Sequence, residues 1–212
     1  MSVSEPEFWN SRYAQGQMGW DLGQPAPPLA RWLRQSSLPV PQRVAVVGCG
    51  AGHEALLFAR AGHEVTGFDF APRAVARAQQ LAAEARVAAT FLEGDLFTLP
   101  ARYPAAFDLV VEHTCFCAID PARREAYVQA VEALLAPGGR LVGLFFTHGR
   151  PGGPPFGSSR TEVEQLFGDH FVLDASEVPA DSVPSRAGQE LLALFRKPAD
   201  RKERGQPSPS TC

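Results

Sequence analysis

Short apolar runs alternate along the chain with longer stretches in which apolar positions recur every three or four residues. Segment 43–47 is a continuous apolar run ended by glycines, and 64–69 and 88–93 have similar length and bounding signals, which predicts strands one to three. Between them, 53–61 and 72–85 have helical spacing, with Gly62 placed to end the first helix and Pro72 to open the second. Segment 107–112 predicts strand four, 121–136 a helix ended by Pro137, Gly138 and Gly139, and 140–146 strand five. Ser159 with Glu162 three residues on forms a capping box for a helix through Phe167, and 171–178 and 189–196 complete a set of seven strands. Strands alternating with helices predict an α/β fold around a mostly parallel sheet.

The stretch before strand one is different in kind. Phe8, Trp9, Tyr13, Trp20 and Trp32 concentrate there with Pro25, Pro27 and Pro28, and predict two short helices, 5–15 and 27–35, joined by an aromatic loop over one end of the sheet. Residues 1–36 then make a lid on a single domain spanning 1–197. The final segment, 198–212, has no apolar periodicity and several helix breakers, so a disordered tail is expected there.

A chain of 212 residues, 45% hydrophobic and 20% charged, has material for one core and no run of about 18 apolar residues to span a membrane. Its first residues lack the basic start and apolar stretch of a signal peptide, so cytoplasm is the expected location. A formal charge of −3 supplies no basic field for nucleic acid, and a monomer acting on a small molecule is expected. Cys49, Cys115, Cys117 and Cys212 match no metal or disulfide framework, so no metal is expected. The only lysines, Lys197 and Lys202, sit at the end of the chain, which excludes a Schiff-base or phosphate-loop lysine from its body.

Strand one runs into Gly48, Cys49, Gly50, Ala51 and Gly52, a turn whose missing side chains let a ligand approach the backbone at the start of a helix. His53 stands where a dinucleotide fingerprint needs its third glycine, which counts against nicotinamide. Asp69 ends strand two, where a carboxylate accepts from both ribose hydroxyls. After strand three, Asp95 is placed to accept from an adenine amine clasped by Phe70 and Leu96, with Phe97 next in the turn. A solvated turn residue is the plain alternative for Asp95.

These residues, with Trp9, Tyr13, Trp20, the stretch from Glu112 to Asp120, the segment Gly153, Pro154, Pro155, Phe156, and the run from Ser182 to Arg186, resemble class I S-adenosylmethionine-dependent methyltransferases. More narrowly, the chain is similar to the thiopurine methyltransferases and their plant thiol and halide relatives. The resemblance implies a Rossmann-like seven-stranded sheet with the last strand antiparallel and N-terminal helices over the cofactor. It implies that Trp9, Tyr13 and Trp20 contact S-adenosylmethionine, whose sulfonium suits aromatic faces. Gly48, Asp69, Asp95, Leu96 and Glu112 match its glycine, ribose, adenine and strand-four positions. It also implies that Pro155 and Phe156 of the rim loop form the acceptor pocket; Phe116 and Arg186 are further candidates for it, with a surface ion pair as the plain alternative for Arg186.

Where thiopurine methyltransferases have an arginine after the strand-four acid, and the plant enzymes tend to have a tyrosine, this chain has His113. Two readings of His113 follow: a base or electrostatic guide for a thiol, or a histidine satisfied behind the pocket. The expected reaction is in-line methyl transfer to a soft nucleophile, a thiol sulfur or a halide-like anion. A nicotinamide-dependent reductase and a non-catalytic S-adenosylmethionine-binding protein are the rival classes, and product analysis separates the three.

Overall fold

The computed structural model describes residues 2–199. Arg43–Val47 (β1), Glu64–Asp69 (β2), Thr90–Glu93 (β3), Phe107–His113 (β4), Leu135–Phe146 (β5), Val172–Glu177 (β6) and Glu190–Arg196 (β7) form one sheet in the order β3-β2-β1-β4-β5-β7-β6. The central strand β1 is parallel to both neighbours, Val46 pairing with Gly67 of β2 and Val111 of β4. Only β7 runs against its neighbours, β5 and β6. The expected Rossmann-like α/β fold is therefore the observed one.

Strand periodicity sorts the core into two layers. Val44, Val46, Leu109, Val111 and Val142 face Leu29 of α2 (Pro27–Gln35), Phe58 of α3 (His53–Arg60) and Ala78 of α4 (Pro72–Ala85). Ala45, Val47, Val110 and Leu141 face Tyr127 and Val131 of α6 (Arg124–Leu134) and Phe167 of α7 (Arg160–Gly168). On the outer side of α4 packs α1 (Pro6–Ala14), through Trp9 against Ala71 and Ala74. Among the described residues no helix is long and apolar enough to cross a membrane.

Several boundaries differ from the sequence expectation. Strand β3 begins at Thr90, not 88, and a short helix α5 (Leu99–Arg102) follows it unannounced. The helix expected to run to 136 ends at Leu134, because Leu135 already pairs with Phe107 and the Pro137–Gly139 turn lies within an irregular start of β5. Ser159 caps α7, its Oγ accepting from the Glu162 N–H at 3.0 Å. The other half of the box is not made, since the Glu162 carboxylate pairs with Arg124 at 2.5 Å. The tail expected from 198 lies, beyond Ala199, outside the described residues.

The carboxyl ends of β1 to β5 open on one edge of the sheet, and the antiparallel β7 begins there, so the turn Pro184–Arg186 joins that edge. The first turns of α3 and α4 start there too, which makes this edge the crevice that α/β sheets use for ligands.

Candidate active site

A cavity of about 440 Å³ occupies this edge. One end is walled by Gly48, Gly50, Asp69, Phe70, Asp95, Leu96 and Phe97, the other by Cys117, Phe146, Arg150, Pro154, Pro155 and Arg186. Trp9, Tyr13 and Trp20 border it from the N-terminal segment.

At the first end the backbone is shaped to receive a ligand. Gly48 has φ +58°, and a Cβ there would lie 2.6 Å from Cys115 Sγ, so the chain can pass only without a side chain. Asp69 Oδ2 accepts from the Gly50 N–H at 3.0 Å and Oδ1 from the Ala71 N–H at 2.9 Å, which ties the glycine turn to the end of β2. Burial pushes the Asp69 carboxyl above the usual range, against the pull of those N–H groups. Asp95 Oδ1 accepts from the Phe97 N–H at 3.1 Å, holding its turn open to the cavity, and the Arg123 guanidinium covers the Phe97 ring at 3.5 Å.

The aromatic border is a chain of edge contacts: Phe8 on Trp9 at 5.1 Å, Trp9 on Trp20 at 5.3 Å, and Tyr13 on Trp20 at 5.6 Å between ring centroids. Trp9 Nε1 donates to the Val3 carbonyl at 2.8 Å. Burial first, and the Asp69 charge second, push the Tyr13 phenol well above its ordinary range, so it stays neutral at any working pH.

At the second end, Arg150 and Arg186 each lie against the Phe146 ring, at 5.4 and 5.6 Å. The rim loop is clamped from behind by Arg124, which donates to the Phe156 and Gly157 carbonyls at 3.3 and 2.9 Å. The Phe156 N–H donates to the Cys117 carbonyl at 2.7 Å. Thr114 lines the cavity with φ +63°, an unusual conformation for a β-branched residue that costs on the order of 1–2 kcal/mol.

Not every residue singled out from the sequence reaches the cavity. Phe116 is core: it is 1% exposed and packs on Tyr127, Phe145 and Phe167, because the turn after β4 points its ring under the sheet. Phe156 folds back over Gly153 and leaves Pro154 and Pro155 as the rim. Cys49 is buried against Gly67, with its thiol pushed far up by burial. Gly52 is a packing glycine, since a Cβ there would meet Phe91 at 2.8 Å.

Glu112 lies wholly beneath the floor, accepting from the N–H groups of Cys115 and Phe116 at 3.0 and 2.9 Å and from the Tyr127 hydroxyl at 2.5 Å. Burial lifts its carboxyl to about 6, with those three bonds resisting. His113 does not face the cavity either: Nδ1 meets Glu54 and Nε2 meets Arg186, so neither nitrogen is open to an acceptor. Arg150, Thr114, Cys117 and Glu54 are not among the site residues expected from the sequence. Arg150 alone carried a visible signal, as the one cation in a proline- and glycine-rich loop after a strand.

The residues present fit a sulfonium nucleoside. A carboxylate at the end of β2, a side-chain-free approach at Gly48 and neutral aromatic faces near the middle are the donor-and-acceptor set such a molecule requires. A sequence profile described as thiopurine S-methyltransferase matches residues 4–202. A probable thiol methyltransferase 2 of Arabidopsis thaliana is 36% identical over 202 residues, covering 93% of this chain and 88% of its own. Thiocyanate methyltransferase 1 of the same plant is 31% identical, with 89% and 84% covered. In fold, the chain superimposes with a TM-score of 0.74 on a Burkholderia thailandensis 1,6-didemethyltoxoflavin-N1-methyltransferase that holds S-adenosylhomocysteine, at 24% identity and over 92% and 88% of the two chains. With its glycine turn, the carboxylate ending β2 and an aromatic border in one cavity, the chain belongs to the thiopurine S-methyltransferase family of S-adenosylmethionine-dependent methyltransferases.

Proposed function

We propose that the methyl acceptor is a small soft nucleophile that arrives as an anion: a thiolate, or a thiocyanate- or halide-like ion. One observation carries this reading. The acceptor end is walled by Phe146, Pro154 and Pro155 and flanked by Arg150 and Arg186, yet among the described residues no histidine, lysine or glutamate lines it. Of the thiols on the cavity wall, Cys117 is pushed up to about 12 and Cys115 well above its ordinary value, both chiefly by burial. A site with cations and no base suits a nucleophile that is already charged.

S-adenosylmethionine, when bound, would supply an electrophilic methyl group with a neutral thioether as its leaving group. Asp69, Gly48, Asp95 and Leu96 hold the nucleoside. Trp9, Tyr13 and Trp20 give the sulfonium neutral π faces, worth on the order of 0.5–2 kcal/mol. The proline rim and the aromatic segment exclude water from the anion, and Arg150 and Arg186 balance its charge. Holding the two reactants in line in such a site contributes roughly 7–11 kcal/mol.

The test is a product screen across pH with thiocyanate, iodide and a series of aryl thiols. Thiocyanate methylation should stay flat across neutrality, and each thiol's rate should rise to a plateau at that thiol's own pKa. A single enzyme pKa shared by all thiols would sink the reading.

A further inference from the structure

His113 stands between two buried charges of opposite sign. Nδ1 lies 2.8 Å from Glu54 Oε1, and Nε2 lies 3.0 Å from Arg186 Nη1. A guanidinium only donates, so Nε2 must accept, and the ring proton sits on Nδ1 and is given to Glu54. All three side chains belong to residues less than a tenth exposed. Glu54 also accepts from the Ala26 N–H at 3.1 Å.

Arg186 is held on further sides. Nη2 donates to the Trp20 carbonyl at 2.8 Å, and Nη1 faces Glu190 Oε1 at 3.5 Å. Of the five N–H groups on a guanidinium, one on Nε and one on Nη2 then have no acceptor among the described residues, and Arg186 lines the cavity. The neutral imidazole keeps the guanidinium and the Glu54 carboxylate apart. Without a spacer the two charges would pair directly, since charge-assisted bonds are the stronger kind, and the guanidinium would turn from the cavity.

We infer that His113 is a positioning residue: a neutral wedge, oriented by Glu54, that fixes Arg186 with its remaining N–H groups toward the methyl acceptor. This rests on the anionic-acceptor reading above. It assigns His113 no proton transfer, and it makes Glu54, at the start of α3 beside the glycine turn, part of the acceptor wall's support.

Two substitutions separate the halves of the wedge. Asparagine reaches the position of Nδ1 and can serve Glu54 but not Arg186, whereas glutamine reaches the position of Nε2 and can serve Arg186. His113→Gln should keep the thiocyanate KM within about threefold of wild type, and His113→Asn should raise it by about tenfold or more, the effect of losing one bond to a charged group. Calorimetric Kd values for S-adenosylhomocysteine and melting temperatures should be similar in the two variants. Thiocyanate titrated into protein saturated with S-adenosylhomocysteine should show the same order without turnover. Equal losses in both variants, or none in His113→Asn, would overturn the positioning role while wild-type methylation keeps the acceptor reading standing. Failure of wild type to bind or methylate either thiocyanate or thiols would instead overturn the acceptor reading, and this inference with it.

Discussion

The imidazole of His53 reaches Asp21, Nε2 to Oδ1 at 3.0 Å, and ties the first residue of α3 to the stretch that follows Trp20. The bond to Asp21 raises the His53 pKa above its ordinary value, with Glu54 helping and burial and Arg77 opposing. The same bond lowers that of Asp21. A raised histidine contributes stability that is present below its unfolded pKa of about 6.5 and lost as pH rises through its folded value. A lowered aspartate contributes above its unfolded value and loses that contribution in acid. Docking of the aromatic segment should therefore be firmest in mildly acidic to neutral solution. Hydrogen exchange in residues 17–23 should quicken from pH 6 to pH 9 beyond the intrinsic base catalysis, and Asp21→Asn should remove that excess. Bound S-adenosylhomocysteine should slow exchange over 8–20 at both pH values. Protection independent of pH and cofactor would make this segment fixed structure.

Asp69 joins two jobs, bracing the glycine turn and facing the cavity. Asp69→Ala should weaken S-adenosylhomocysteine binding by about 1.5–3 kcal/mol, the range for bonds to a charged acceptor. An analogue lacking both ribose hydroxyls should bind wild type and variant alike if the loss comes from the ribose. Calorimetry in which the variant loses affinity for both ligands equally would move the role of Asp69 from ligand contact to loop bracing.

What the sequence made legible here is what depends on local rules. Pro72 at a helix start, Gly48 and Gly50 after β1 and the carboxylate ending β2 each follow from backbone preference and topology, and these lie where expected, whereas Gly52 packs on Phe91. The places where it misled depend on pairing across long separations. The His113 ring is oriented by Glu54, 59 residues away, and by Arg186, 73 residues away, so one position read alone offers no direction. Phe116 is a pocket candidate by the family resemblance, but Glu112 accepts from its N–H and turns the chain so that the ring enters the core. Leu135 entered a strand because its partner Phe107 outweighed the helical pattern leading to it.

Tyr127 and Glu112 form the buried bond beneath the floor, and its loss should depend on pH. The Glu112 carboxyl is raised from 4.5 to about 6, so its contribution to stability is full below about 4.5 and falls as pH rises through 6. Removing the hydroxyl deprives the ionised form of a donor. Tyr127→Phe should cost about 1–3 kcal/mol at pH 7.5 and less at pH 5, where the carboxyl is largely protonated. Thermal unfolding at the two pH values measures the difference, and an equal loss at both would show that the bond does not favour the charged form.

Arg124 supports the acceptor end without lining it. Its guanidinium joins Glu162 at 2.5 Å to the Phe156 and Gly157 carbonyls, and it covers the Phe116 ring at 4.8 Å, so it fixes where the proline rim stands against the core. Arg124→Met keeps most of the apolar stem but leaves two loop carbonyls and a half-exposed carboxylate without their partner. The cost should be about 1–3 kcal/mol, below that of breaking a fully buried pair because Glu162 can turn to water. With the clamp gone, Pro154 and Pro155 lose their fixed distance from Phe146, and the site should hold its acceptor less well. None of the residues proposed to hold the nucleoside, Gly48, Asp69, Asp95 and Leu96, hydrogen-bonds to this loop among the described residues. The acceptor KM should therefore rise several-fold while the S-adenosylhomocysteine Kd stays within error. A parallel loss of both affinities would mean that the rim and the cofactor end respond as one unit, and that the division of the cavity into two ends does not hold.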